Sequence, residues 1–141
     1  MSTEPYTANV RRLYHDVWNT GNLPVIDELF VSDAALDFLP PGLLTGTAGL
    51  KQFITMYRTT FPDIHFTIED MIAEGKKVVT RWIATGTHVG SLMNIPPTGK
   101  PVSVHGISIT HHDVSGKVVQ SWSTFDQLGL LQQLGVIPTV G

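Results

Sequence analysis

The chain of 141 residues carries 9 Lys or Arg against 12 Asp or Glu, a net charge of −3, and no cysteine. That length suits one domain spanning 1–141, able to bury a core but too short for two, and the missing cysteine removes disulfides, thiolate metal sites and cysteine nucleophiles. Basic residues are scattered apart from Arg11-Arg12 and Lys76-Lys77, so there is no stripe for a phosphate backbone and nucleic acid is not an expected partner. Charged residues at 15% against hydrophobic ones at 42% favour a large apolar interior, a subunit interface, or both. Met1-Ser2-Thr3-Glu4-Pro5 has neither a basic nor an apolar leader segment, and no long apolar run follows. The default expectation is a soluble cytoplasmic protein without membrane association.

In chain order, helices come first and strands follow, which predicts an α+β domain rather than a βαβ array. Val10, Leu13, Tyr14, Val17 and Trp18 form the stripe of an amphipathic helix that Asn19-Thr20-Gly21-Asn22 ends. A short helix is predicted from Pro24 to Phe30, a brief strand over Ala34 to Phe38, and a second amphipathic helix from Thr47 to Thr60 carrying Leu50, Phe53, Ile54 and Tyr57. From Asp63 the pattern turns to alternating, β-branched segments: Ile64–Ala73, Lys77–His88, Val102–His112 and Lys117–Asp126. Strands this long twist strongly, so a mainly antiparallel sheet should wrap the helices as a cone enclosing an apolar pocket. Gly90 to Lys100, with Pro96-Pro97, breaks the ladder and is predicted as a flap.

The segment Trp122-Ser123-Thr124-Phe125-Asp126-Gln127-Leu128 drives a carboxylate into the end of an aromatic strand. Strand alternation puts Trp122, Thr124 and Asp126 on one face. An unpaired buried carboxylate costs about 1–3 kcal/mol even by mild mutational measures, so Asp126 implies a partner or a task. One reading is an N-cap for a helix over 127–134. The other is a general base whose basicity is raised by shielding from Trp122 and neighbouring Phe. Arg81, mid-strand between Thr80 and Trp82, could pair with Asp126 or Asp37 if it points into the cone, or else lie exposed.

His105 and His111 share a strand face with Ile107 and Ile109, and His112 faces the other way. His88 stands at a strand end, where bonding the flap backbone and touching a ligand are both open. Tyr14 and Trp18 belong to the first helix's apolar stripe, as core or as ligand contacts. No His-x-His or Glu-x-x-His spacing occurs, so no metal site is expected.

Four ordered motifs carry a resemblance: Gly86-Thr87-His88-Val89-Gly90, Ile95-Pro96-Pro97-Thr98-Gly99-Lys100, Gly116-Lys117-Val118-Val119-Gln120-Ser121-Trp122, and the run from Asp126-Gln127-Leu128 to Gly135, with Phe61-Pro62-Asp63 upstream. Together they resemble the SnoaL-like polyketide cyclase (ester cyclase) family from about Val10 to Gly135. The resemblance implies a nuclear-transport-factor-2-like cone, a homo-dimer or homo-tetramer, and a cavity for an apolar or aromatic small molecule. It also implies cofactor-independent chemistry in which Asp126 moves a proton to promote intramolecular aldol closure. Polar residues beside that aspartate match His111 and, less closely, His105, and Asp37 falls where relatives place a polar pocket residue.

Related epoxide hydrolases use an aspartate-arginine-aspartate set. Arg81 and Asp126 resemble two members of it, with Ile83 where the other aspartate would stand. The leading expectation is a cyclase or isomerase acting on a polyketide-like carbonyl compound. The alternatives are a non-catalytic binding protein on the same scaffold and a hydroxylase or epoxide-hydrolase relative.

Overall fold

The structure, a computed structural model, describes residues 2–138. Pro5 in the first turn and Arg11-Arg12 in the last frame α1, Glu4–Arg12, where the missing proline donor and the basic charges suit the two ends of a helix. The chain then continues as a π-helical stretch, Leu13–Asn19, which buries Leu13, Tyr14, Val17 and Trp18. Such wide turns are rare and cluster at functional sites. A 3-10 turn, Leu23–Val25, leads into the short α2, Ile26–Leu29, and β1 follows over Phe30–Leu36, earlier and longer than the predicted strand. Helix α3 spans Gly46–Thr60.

The remaining strands are β2 His65–Glu74, β3 Lys77–Thr87, β4 Pro101–His112 and β5 Val118–Phe125, and α4, Gln127–Gln133, closes the fold. These strands fall within a residue or so of the segments read from alternation, because Gly75 and Gly116 mark their turns with positive φ. The sheet order is β1-β5-β4-β3-β2. β2, β3, β4 and β5 pair antiparallel, while β1 lies parallel to β5 through Phe30↔Val118 and Leu36↔Ser121. The sheet is thus mixed, and it curls without closing, since β1 and β2 remain edges.

On β3 the even positions Val78, Thr80, Trp82, Ala84 and Gly86 are buried, and on β4 the even positions from Val102 to His112. This parity sets the concave face. Helical residues Val10, Val17, Leu50 and Ile54 pack over it. Between β3 and β4 the chain leaves the sheet as the expected flap, whose tip is a tight turn with Met93 and Asn94 at φ 48° and 63° between the bridged residues Leu92 and Ile95. No helix among the described residues is long and apolar enough to cross a membrane.

Candidate functional site

The curled sheet and the helices line a half-open cavity of about 880 Å³. Its wall is a contiguous set of rings: Trp18 and Phe66 lie 4.7 Å apart, Phe66 and Trp82 4.9 Å, Phe53 and Tyr57 4.9 Å, and Tyr14 and Phe66 5.4 Å. They converge because the first helical segment, α3, β2 and β3 each contribute aromatic residues to the same space. Flap residues Leu92 and Met93 and the α4 residues Gln127 and Leu130 complete the lining, with Gln127 Nε2 donating to Met93 Sδ at 3.4 Å. Among the described residues no Asp, Glu, His, Lys or Arg side chain lines the cavity.

Its polar content is instead a small hydroxyl cluster. Trp82 Nε1 donates to Ser108 Oγ at 3.0 Å, and Ser108 Oγ lies 2.9 Å from Ser123 Oγ across the β4–β5 ladder, where the two residues are register partners. Trp82 can lie flat there only because its cross-strand partner is Gly106: a Cβ at that position would stand 2.1 Å from the indole Cζ2. Tyr14 adds its hydroxyl; burial pushes the phenol up to about 12, with a hydrogen bond to Ser108 acting in the other direction. It therefore stays protonated as a donor throughout the physiological range.

The sequence-predicted site residues divide between two faces. Tyr14 and Trp18 line the cavity. The expectation that Trp122, His105 and His111 face it is corrected by strand parity. Ser121, Ser123 and Phe125 point inward on β5, while Trp122 lies opposite Ile109 on the convex face. His105 and His111 are on that same outer face, His105 exposed and His111 half-buried. The physical reason is volume. Rings from the helices, β2 and β3 fill the concave side, so mid-strand β5 presents the small Ser121 and Ser123 beneath them, with Phe125 inward only at its end, and its tryptophan turns outward.

Asp126 follows the last ladder residue. Its amide donates to the His105 carbonyl at 3.0 Å, and its exposed carboxylate accepts from the Gly129 amide at 2.9 Å, capping α4. A Cβ at residue 129 would stand 2.2 Å from Asp126 Oδ2, so a larger residue there would make the carboxylate turn. The carboxylate does not line the cavity, although its neighbours Phe125 and Gln127 do. Arg81 is likewise placed outside, paired with Glu69 at 3.2 Å rather than with Asp126 or Asp37, because Trp82 takes the inward position. Asp37 follows β1, exposed, with its amide donating to the Ser121 carbonyl.

His88 is fully buried at the base of the flap and is not part of the lining. The Thr98 amide donates to its Nδ1 at 3.1 Å, which puts the proton of the neutral ring on Nε2, an atom without a partner among the described residues. Among the described residues no three His, Asp or Glu side chains converge.

The histidine that faces inward is His112. Its Nδ1–H donates to the Gly116 carbonyl at 2.8 Å, so Nε2 accepts from the hydroxyl of the cavity-lining Thr110, also at 2.8 Å. The Tyr6 ring of α1 packs 5.3 Å away. Burial pushes this imidazole below its ordinary value; the Gly116 bond and Asp113 oppose that shift and His111 adds to it. The unfolded imidazole consequently binds a proton more readily than the folded one. The stability His112 contributes is complete above pH 6.5 and is lost as pH falls below it. Urea midpoints should therefore drop between about pH 7 and 5, and more gently in His112→Gln. Parallel profiles for the two proteins would exclude His112 as the source.

Ser108, Ser123 and Gly106 escaped the sequence reading. The signal present was parity: small residues at 106, 108 and 110 alternate with isoleucines that attract attention as core.

No curated protein sequence matches the chain. Solved structures do. It is similar to TsrD from Streptomyces laurentii, at 26% identity over 97% of this chain and 99% of that one, with a TM-score of 0.88. It is also similar to a proposed polyketide cyclase from Bacillus cereus, at 32% identity over 97% and 87% with a TM-score of 0.82. A third is AclR, a proposed hydroxylase from Streptomyces galilaeus, at 27% identity over 99% and 91% with a TM-score of 0.85. The curled five-stranded sheet and its helices are the nuclear-transport-factor-2-like architecture of these neighbours. The family profile described as SnoaL-like polyketide cyclase matches residues 8–134, nearly the whole length, and the chain therefore belongs to the SnoaL-like polyketide cyclase family.

Proposed function

We propose that the protein folds a polyketide-like carbonyl compound within its cavity and promotes proton transfer leading to intramolecular aldol closure or isomerisation, without a cofactor. The observation that carries this is the ring-walled cavity of about 880 Å³ in a chain of the cyclase family. A flexible chain held there in a ring-like conformation gains from orientation alone, which can supply several kcal/mol of the barrier. For the proton we assign Asp126: its carboxylate stands outside the lining, but next in the chain to two cavity-lining residues, Phe125 and Gln127, and among the described residues only one of its oxygens is engaged, by the Gly129 amide.

A second reading, a binding protein without chemistry, is favoured by the absence of charged side chains from the lining among the described residues. A naphthyl-substituted 1,3-dicarbonyl in deuterium oxide separates the two. Exchange at the acidic carbon faster than in buffer is the expected result for the enzyme. Binding without accelerated exchange leaves the second reading, and the absence of binding removes both.

A further inference from the structure

The hydroxyl cluster on the concave face admits a proton count. Trp82 Nε1–H is a donor only, and it is spent on Ser108 Oγ. Ser108 and Ser123 each hold one hydroxyl proton, and a single bond joins them. Three protons thus serve two internal bonds, whichever serine donates to the other. Tyr14 brings one more proton and at most one more bond, to Ser108, so the surplus does not shrink. Among the described residues no backbone carbonyl accepts from any of these hydroxyls. All four side chains line the cavity, and the indole that anchors the cluster is held by the Gly106 vacancy.

We infer that Ser123, Ser108 and Tyr14, oriented by Trp82, form a hydrogen-bond donor site that selects ligands carrying a carbonyl or enolate oxygen within an otherwise apolar polycyclic frame. The site deepens the reading of the cavity as a container for a carbonyl compound and rests on that reading. A donor left unpaired among rings is costly, whereas underused lone pairs are tolerated, so the ligand atom that fits is an acceptor. Donation along a chain of hydroxyls also polarises the last member, which strengthens its bond to an oxygen as negative charge develops there. A ligand presenting only C–H at that point leaves the surplus proton unmet.

Fluorenone and fluorene share one tricyclic frame and differ by a carbonyl in place of a methylene, which makes them suitable probes for equilibrium dialysis with the whole chain. The protein should bind fluorenone roughly five- to tenfold more tightly than fluorene, the range expected for one net hydrogen bond. Ser108→Ala/Ser123→Ala should bring the ratio to about one with fluorene affinity unchanged, and Ser123→Thr, which keeps the hydroxyl, should retain the preference. The carbonyl stretch of bound fluorenone should shift to lower frequency in the native protein and not in the double variant. Equal binding of the two probes, or a preference that survives the double substitution, overturns the donor site and leaves the cavity reading intact. Binding of neither probe overturns both.

Discussion

Gly106→Ala is expected to destabilise the protein by about 2–4 kcal/mol, among the larger effects a single added methyl can have. The added carbon would stand 2.1 Å from Trp82 Cζ2 and 2.3 Å from Cη2. Neither the paired backbone of β3 and β4 nor a ring already packed 4.9 Å from Phe66 has room to give way. The indole must therefore leave its place, and Ser108 loses the N–H that points at it. For a chain of this size that corresponds to a melting temperature lower by roughly 10 °C.

The cause is tested by coupling rather than by the single value. Trp82→Leu alone should also destabilise, by about 1–3 kcal/mol of lost burial, but in the Gly106→Ala background it should recover part of the loss, because the clash disappears with the ring. Urea midpoints for the two single variants and the double variant measure this. Strict additivity would show that the ring does not occupy the space above residue 106.

Asp126→Asn should leave the fold and ligand affinity intact while cutting exchange into the dicarbonyl probe by roughly 10²–10⁴-fold, the usual loss when an acid/base group is removed. Asparagine is itself a good helix N-cap, so the Gly129 amide keeps its acceptor. Asp126→Ala removes the cap as well and should cost about 1 kcal/mol of stability in addition to the rate. Together the two variants separate the carboxylate's structural duty from its chemical one. Unchanged exchange in Asp126→Asn would remove Asp126 from the mechanism and confine it to capping α4.

Much of the architecture could be read from the chain. The glycine-marked turns at Gly75 and Gly116 and the alternation between them delimit the strands, because turn chemistry and strand period act locally. The π-helical stretch could not be read. Tyr14 and Trp18 satisfy an ordinary helical stripe, and the wider turn forms only against the tertiary packing of Phe66 and Phe53.

The inward face of β4 and β5 was misread for a related reason. Apolar content identifies the concave face of a strand only when that strand must fill the core. Here Trp18 of the first helical segment, Phe66 of β2 and Trp82 of β3 fill it, and Ile107 of β4 and Trp122 of β5 are left to the convex side. Of the two readings of Asp126, the helix N-cap is the one seen directly, as the bond from the Gly129 amide.

The parallel pairing of Phe30 with Val118 bears on how the molecule is made. As the polypeptide emerges from the ribosome, β1 appears well before β2, β3 and β4 and has no neighbour in the sheet until β5, after all of them, has been synthesised. Contacts this distant along the chain slow folding, because a long loop must close before they form. The β2–β3 and β3–β4 hairpins can form during elongation, while the edge of β1 that pairs with β5 waits without a strand partner. Nascent chains arrested before Val118 should therefore be protease-sensitive at their N-terminal end and be the species most in need of a chaperone.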